Sequence, residues 1–503
     1  MKNILEYLEL SAQKYMTKTA FTDEMKELNY CQCVEYSKKV GTQLLELKAK
    51  RQPIAVLMDK NVESLTCFFG VVYSGNFYVV IDSFMPKDRI EKIFKTLCPI
   101  ALISDYAHQD LARSLHQQVY FYEDLMKIEI DEEALQAVRN QMIDTDPLYA
   151  LFTSGSTGVP KGAVVSHRNV INYASWYKET FDINEKTQFG SQTPFYFSMS
   201  VSDVYSTILA GATLHIIPKK LFSFPIKLIE YMNEKKVNTI YWVPSALCIV
   251  ANLKVLNYAD LEYVDKVLFA GEVMPTKQLN YWIDKLPHAM FANLFGPTET
   301  TDICTYYIVD RKFNDDEVLP IGKACQNCDV FLLDENDQEV LDNREGELCA
   351  RGSFLALGYY NNEEKTKEAF VQNPLNKSYP EMIYRTGDLV KYNEYGELIY
   401  ITRKDFQIKH MGYRIELGEI EAAVNSLAKI QNCAVIFDEE SDKIVLIYTG
   451  KIVDKEIMEG ISHKIPHYMY PNVIVKMKVM PYNQNGKIDR KWLKGHYKEI
   501  GGK

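Results

Sequence analysis

No apolar run in this 503-residue chain is long enough to cross a bilayer. The longest, 67–80, is broken by Gly70, Gly75 and Asn76 and falls short of the roughly 20 residues a spanning helix needs. Near the N-terminus Glu6 and Glu9 interrupt the apolar pattern where a secretory leader needs an uncharged core, so no leader is expected. An excess of positive charge is also missing. With 57 Lys+Arg against 67 Asp+Glu the net charge is −10, which gives no field to hold nucleic acid or anionic lipid. Ten scattered cysteines do not make a disulfide framework in so long a chain, and they suit reduced thiols in a cytosol. Disorder is excluded by 47% hydrophobic and 25% charged residues. The expectation is a cytoplasmic, monomeric, enzyme-sized protein with no nucleic-acid or membrane partner, built from about three domain-sized units.

Short β-branched and aromatic runs at 54–58, 78–81, 101–104, 148–153, 213–217, 239–243, 266–270 and 290–294 read as strands. Amphipathic helix patterns lie between them at 62–73, 169–180, 225–235 and 276–285. The alternation predicts α/β architecture, with mixed or parallel sheets flanked by helices. From about residue 320 the texture changes to strands joined by polar turns (330–333, 346–350, 397–401), a small β-rich subdomain. After Arg403 a third pattern begins: strands near 406–408, 433–437, 444–448 and 473–478, with helices at 418–427 and 454–463. That is an α+β unit large enough for its own core. The division is placed at Arg403–Asp405, giving a large domain 1–403 and a small domain 404–503.

The strongest local signal runs from Leu151 to Gly162. An apolar strand leads into Thr153-Ser154-Gly155-Ser156-Thr157-Gly158, and Lys161 follows. Glycines let backbone N–H groups turn inward as an anion nest, hydroxyls add donors, and the lysine adds positive charge. Pro160 before the lysine and Gly162 after it exclude a Walker loop, but the phosphate-cradling chemistry remains. Three further segments join it. Asn293-Leu294-Phe295-Gly296-Pro297-Thr298-Glu299 ends a strand in a tight turn that presents Glu299. Tyr384-Arg385-Thr386-Gly387-Asp388 sets a carboxylate after a glycine turn, suited to a ribose diol. Asn483-Gln484-Asn485-Gly486-Lys487 projects a lysine. Singly, each is more often a β-turn with a charged rim; in this order and span they are not.

Together with Phe269-Ala270-Gly271-Glu272 and the run from Arg403 to Glu421, this set resembles the adenylate-forming superfamily over nearly the whole chain. The last run is most similar to the peptide-synthetase adenylation domains and the D-alanine–carrier-protein ligases. The resemblance implies a mobile C-terminal lid and the reaction carboxylate + ATP → acyl-AMP + pyrophosphate, followed by thiol attack. Thr153, Ser154, Gly155, Ser156, Thr157, Gly158 and Lys161 would hold phosphates. Glu299 would bind Mg²⁺, and Thr298 would touch the α-phosphate. Asn293 would meet the adenine amino group with Phe295 against the ring, and Asp388 would take the ribose hydroxyls. Lys487 would bridge the acid and the α-phosphate. Arg403 and Asp405 would form the hinge. In the second arrangement Lys487 withdraws and the Gly412 segment, read as a strand, meets the thiol.

Three departures from the family pattern follow. Phe295 replaces a common Tyr. Thr402 stands before Arg403 where Gly is usual, stiffening the hinge. Ser198 stands where amino-acid-activating relatives carry the Asp that holds an α-ammonium, and a neutral hydroxyl cannot replace that charge. The remaining pocket positions implied are Phe197, Met199, Ser202, Tyr241, Leu268, Ala270, Leu294, Asp302 and Ile303, with Asp302 the only acid among them. Two substrate classes stay open: an acid with a displaced amine paired with Asp302, or an uncharged aryl or hydroxy acid over a hydrogen-bonded Asp302. D-Alanine is the runner-up.

The chain contains no Gly-x-Asp/His-Ser phosphopantetheine site, so a carrier protein acting in trans is the expected acceptor. The rivals are a CoA ligase and a non-catalytic nucleotide-binding regulator. Cys325 and Cys328 have metal-ligand spacing but no second pair, so a packed turn is expected. His167 and His410 are assigned to packing, and Asp203 to a helix cap. The basic tail Lys487, Arg490, Lys491, Lys494, Lys498 reads as a solvated face or a dock for an acidic carrier.

Overall fold

The computed structural model describes residues 1–155, 159–404, 407–482 and 488–501. Ser156, Thr157, Gly158, Asp405 and Lys487, all expected site residues, lie outside the described residues. The chain divides into two compact units: residues 1–83, 97–151 and 162–402, and residues 84–96, 152–161 and 403–503.

Two large, mostly parallel sheets carry the alternating pattern. In the first, Pro53–Leu57 pairs in parallel with Phe77–Ile81 and Ala101–Ser104, and Pro147–Thr153 and Val119–Phe121 extend the sheet. Every residue of Pro53–Leu57 is buried, as expected for a strand covered on both faces. In the second, Gln188–Ser191, Thr239–Trp242, Lys266–Phe269 and Met290–Phe295 run parallel, with Thr305–Ile308 antiparallel beyond them. Helices follow the strands as the sequence pattern predicts. Val62–Tyr73 starts at Asn61, whose side chain accepts from the Ser64 N–H at 2.8 Å, and His167–Thr180 starts at a Ser166/Asn169 capping box. Pro225 and Pro244 each open a helix, where a missing N–H costs nothing. A five-stranded antiparallel sheet follows, including Cys328–Leu333, Gly346–Gly352 and Met382–Tyr392.

In the second unit, alternation along Ile430–Asp438 and Lys443–Gly450 builds two cores. Cys433, Val435, Ile444, Leu446 and Tyr448 face Ile420 and Val424 of Leu417–Asn425 and Ile457 and Ile461 of Asp454–Ser462. Ala434, Ile436, Val445 and Ile447 face Val475, Leu493 and Tyr497. This is the period-two arithmetic of a sheet buried on both sides.

Two local expectations are corrected. Asp203 does not cap a helix: it sits inside Met199–Ala210, which is buried on nearly every side and so shows no apolar stripe to mark it in the sequence. Gly412 does not lie in a strand. Gln407–His410 and Tyr413–Glu416 form a hairpin whose two-residue loop, Met411 and Gly412, has positive φ at both positions (51° and 79°), which explains the glycine without a passing ligand. Among the described residues no helix is long and apolar enough to cross a membrane.

Candidate active site

The turn from Phe295 to Asp302 carries Thr298, Glu299 and Asp302, three of the expected site residues. Gly296 permits it: a Cβ there would meet Ile303 Cα at 2.5 Å and Cys304 N at 2.6 Å, so only glycine lets the two arms of the turn approach. At its far end Thr301 adopts φ 71°, ψ −56°, and the Asp302 N–H donates back to the Thr300 carbonyl at 2.8 Å. This is a γ-turn with a β-branched residue at positive φ, a strained backbone held by the Thr301 hydroxyl on the Phe354 carbonyl at 2.8 Å. Between the two bends, Glu299 is fully buried and accepts from the Tyr359 hydroxyl at 2.6 Å.

Other predicted nucleotide residues in this unit are also positioned by local geometry. Asn293 donates Nδ2 to the Pro320 carbonyl at 2.8 Å, which assigns the amide and leaves Oδ1 as an acceptor. Phe295 lies 5.8 Å from the ring of Tyr400, an aromatic the sequence did not single out. Asp388 is raised on a bulge: Arg385 pairs with Cys349 and Leu389 with Glu347, so three residues stand opposite Leu348 alone. Its N–H donates to the Thr386 hydroxyl at 3.0 Å. In the second unit, Ser154 is buried and donates to the Arg414 carbonyl at 3.0 Å, while the Thr153 hydroxyl is buried without a partner. Gly155 follows, Lys161 opens the strand Lys161–Ser166, and Arg403 ends Leu398–Arg403. An orphaned hydroxyl in a Ser/Thr/Gly loop fits an oxygen-rich anion, and a buried carboxylate oriented by a phenol is the hard oxygen ligand that Mg²⁺ takes.

The residues expected to line an acid pocket lie on separate elements. Tyr241 and Leu268 are register partners on adjacent parallel strands, and Leu294 lies on the next strand. Met199, Ala270, Ile303 and Leu294 are buried, and Phe197 is partly exposed. Asp302, 1% exposed, receives three hydroxyl hydrogen bonds on Oδ2: Tyr173 at 2.9 Å, and Ser202 and Tyr241 each at 3.0 Å. Burial pushes its carboxyl above the ordinary range, and the hydroxyls of Tyr173, Tyr241, Ser198 and Ser202 pull it back. The Thr298 hydroxyl donates to Ser198 Oγ at 3.4 Å, so the turn that presents Glu299 touches the segment carrying Ser198 at this point.

Sequence reasoning missed Tyr173, Tyr177 and Lys60, and gave Asp203 a different role. Tyr173 donates to Asp302, Tyr177 and Asp203 lie within electrostatic reach of it, and Lys60 acts on Asp203 while donating to Ser191. Of the discounted features, Cys325 and Cys328 are buried with their thiols pushed up by burial, and the described residues contain no metal-binding cluster. His167 is buried and accepts the Ile4 N–H on Nδ1 at 3.3 Å, while His410 packs against Phe437. The basic tail is largely spent inside the unit: Arg490 pairs with Glu421 at 2.7 Å, Lys494 with Glu439, and Lys498 with Asp438 at 3.1 Å.

Residues 8–360 match the AMP-binding enzyme family. The chain is 29% identical over 503 residues to tyrocidine synthase 1 of Brevibacillus parabrevis, covering 98% of this chain and 45% of that protein. It is 29% identical over 507 residues to the D-alanine–D-alanyl carrier protein ligase of Lacticaseibacillus casei (strain BL23), covering 98% of each. The Vibrio cholerae adenylation domain AlmE, solved with glycyl-adenosine-5'-phosphate, has the same fold, with a TM-score of 0.85 at 20% identity over 99% of this chain and 98% of that one. The chain belongs to the AMP-binding enzyme family. It spans less than half the length of the peptide synthetases it matches.

Proposed function

We propose that the chain activates a small carboxylic acid with ATP and passes the acyl group to the phosphopantetheine thiol of a carrier protein in trans, and that the acid is not an α-amino acid. The carrier is supported by the likeness to a carrier-protein ligase over 98% of both chains. The observation that carries the substrate reading is Asp302. It is held by hydroxyls from three separate elements and would be the carboxylate at the floor of the pocket, while Ser198 offers no charge where an α-ammonium would need one.

The acid is already ionised near pH 7, so activation requires no general base. The barrier is electrostatic, because an anion approaches a phosphate while charge builds on departing pyrophosphate. Lys161 and the hydroxyls of Thr153 and Ser154 would meet the phosphates, and Asp388 would fix the ribose. Asn293 Oδ1 would accept from the adenine amino group, and Thr298 would sit at the α-phosphate beside Ser198. Glu299 would hold Mg²⁺, which supplies positive charge to the phosphates. Lys487 would bridge the acid and the α-phosphate, with Arg403 and Asp405 at the hinge that withdraws it.

For the acid, we favour one with an amine displaced from the carboxyl and paired with Asp302: a β- or ω-amino acid, or an aminoaryl acid. The second reading, an uncharged aryl or hydroxy acid, has support from the three hydroxyls that already solvate Asp302. D-Alanine is the alternative drawn from the carrier-protein ligase relative, and Ser198 counts against it. A CoA ligase would consume the acyl-AMP with CoA alone. A panel of acids in ATP–pyrophosphate exchange tests the set, with Asp302→Asn beside the wild type. The expected result is a loss of about tenfold or more in kcat/KM for the amine substrate, the size of a hydrogen bond to a charged group. Undiminished turnover of that substrate by the variant rejects the pairing.

A further inference from the structure

The stretch 354–360 carries none of the residues expected at the site, yet it holds the Glu299 turn at three points. The Phe354 carbonyl accepts from the Thr301 hydroxyl at 2.8 Å, and the Ala356 N–H donates to the Glu299 carbonyl at 2.9 Å. The Tyr359 hydroxyl donates to Glu299 Oε1 at 2.6 Å. The same stretch is bound to residues 162–164, which follow Lys161 on the strand Lys161–Ser166. Gly358 and Tyr359 pair antiparallel with Val164 and Ala163. The Leu357 N–H donates to the Val164 carbonyl at 2.7 Å, and the Tyr360 N–H to the Gly162 carbonyl at 2.8 Å. One strap therefore ties the turn carrying Glu299 to the strand that follows the expected phosphate lysine.

Tyr359 is itself held from several sides. It is 5% exposed, its ring meets Phe370 edge-on with centroids 5.7 Å apart, and its N–H donates to Thr366 Oγ1 at 2.9 Å. Gly358, at φ 122°, lets Thr366 come this close: a Cβ there would meet Thr366 Cγ2 at 2.7 Å. Glu299 is fully buried, but the last torsion of a glutamate is broad, so burial alone does not aim its oxygens. A hydrogen bond from a fixed phenol does. The phenol is also neutral. A lysine or arginine in its place would set a positive charge against any incoming cation, whereas a neutral donor leaves the carboxylate's charge to the metal.

We propose that Tyr359 is a positioning residue for Glu299: its hydroxyl aims the carboxylate at a divalent cation on the nucleotide phosphates. This deepens the adenylation reading above and rests on it. Hydrogen-bond partners of a metal ligand typically change metal affinity about ten- to a hundredfold when removed. The structural alternative is a hydroxyl that only satisfies a buried carboxylate and packs the strap.

The test measures binding of α,β-methylene-ATP, whose α–β link resists cleavage, to the full chain by calorimetry, with Mg²⁺ and with EDTA. The readout is the ratio of the two affinities, the part of binding that depends on metal. Tyr359→Phe keeps the ring on Phe370 and should lower that ratio about tenfold, with the EDTA affinity within about twofold of wild type. Glu299→Gln should lower it at least as far. Thr366→Val removes the acceptor of the Tyr359 N–H but keeps the methyl against Gly358. It should lower the ratio by a smaller factor, and it decides if Tyr359→Phe folds poorly. A ratio unchanged in Tyr359→Phe, or equal losses with Mg²⁺ and EDTA, overturns the proposal in favour of packing; a depressed Glu299→Gln ratio then still keeps Glu299 as the ligand. A Glu299→Gln ratio equal to that of the wild type overturns the ligand reading and the proposal with it.

Discussion

In the first unit, the residues proposed to bind nucleotide and those proposed to bind the acid are positioned in different ways. Glu299, Asn293 and Asp388 are each set by a few neighbouring residues: a turn, an amide on the Pro320 carbonyl, and a bulge opposite Leu348. The proposed acid-binding group draws Tyr173, Ser202, Tyr241 and Asp302 from separate elements, joined through hydroxyls. Chemistry common to every reaction of this type can be fixed by short-range backbone geometry. Choice of substrate depends on a volume that several elements enclose.

The variant that should strike the shared chemistry hardest is Lys487→Ala. It is expected to reduce adenylation at least about a thousandfold whatever the acid, while sparing thioester formation from supplied acyl-AMP. Equal loss of both half-reactions would contradict a lysine that serves only one of them. Gly296→Ala addresses the one turn that serves both halves. With backbone atoms of Ile303 and Cys304 within 2.6 Å of the added Cβ, it should cost about 1–3 kcal/mol of stability and impair exchange with every acid, read as a lowered Tm and kcat. An effect confined to the KM of one acid would mean that the halves are not coupled through this turn.

A smaller effect separates pocket chemistry from the sheet beneath it. His215, on Thr213–Ile216, is held neutral by burial, which lowers its pKa to about 4. A base depressed from the usual ~6.5 adds stability that is fully present above that value and is lost as pH falls toward the folded-state value. The unfolding midpoint should therefore decline between about pH 6.5 and 4, and His215→Asn should flatten that slope. A slope unchanged in the variant would assign the decline to other groups. The smallest change is expected in the tail. Lys494→Ala with Lys498→Ala removes two ion pairs made by exposed lysines and should leave acyl transfer to a carrier within about twofold. A large fall in transfer would restore this face as a carrier dock.

The legibility of the site from sequence follows the same division. Strands such as Pro53–Leu57 and Lys266–Phe269, and helices such as Val62–Tyr73, were readable because their apolar spacing records which face is covered. Glu299 and Asp388 stood out because turn chemistry leaves a local trace in glycines and hydroxyls. Met199–Ala210 was missed because a helix buried all round has no polar face to give it a period. Tyr173 and Tyr177 passed as core aromatics, and Lys60 as an ordinary lysine after a strand, since their significance lies in partners 100 or more positions away in sequence. Asp302 was recoverable only because it follows directly on the Glu299 turn.

The strained bend at Thr301 has a consequence for how specificity can be altered. Because one short stretch of backbone locates both Glu299, the proposed Mg²⁺ ligand, and Asp302, the proposed pocket floor, substitutions there would trade selectivity against turnover. Retuning the enzyme for a different acid should begin instead at Tyr241, Tyr173 or Ser202, whose side chains reach the same carboxylate from scaffolds that hold none of the phosphate-handling groups.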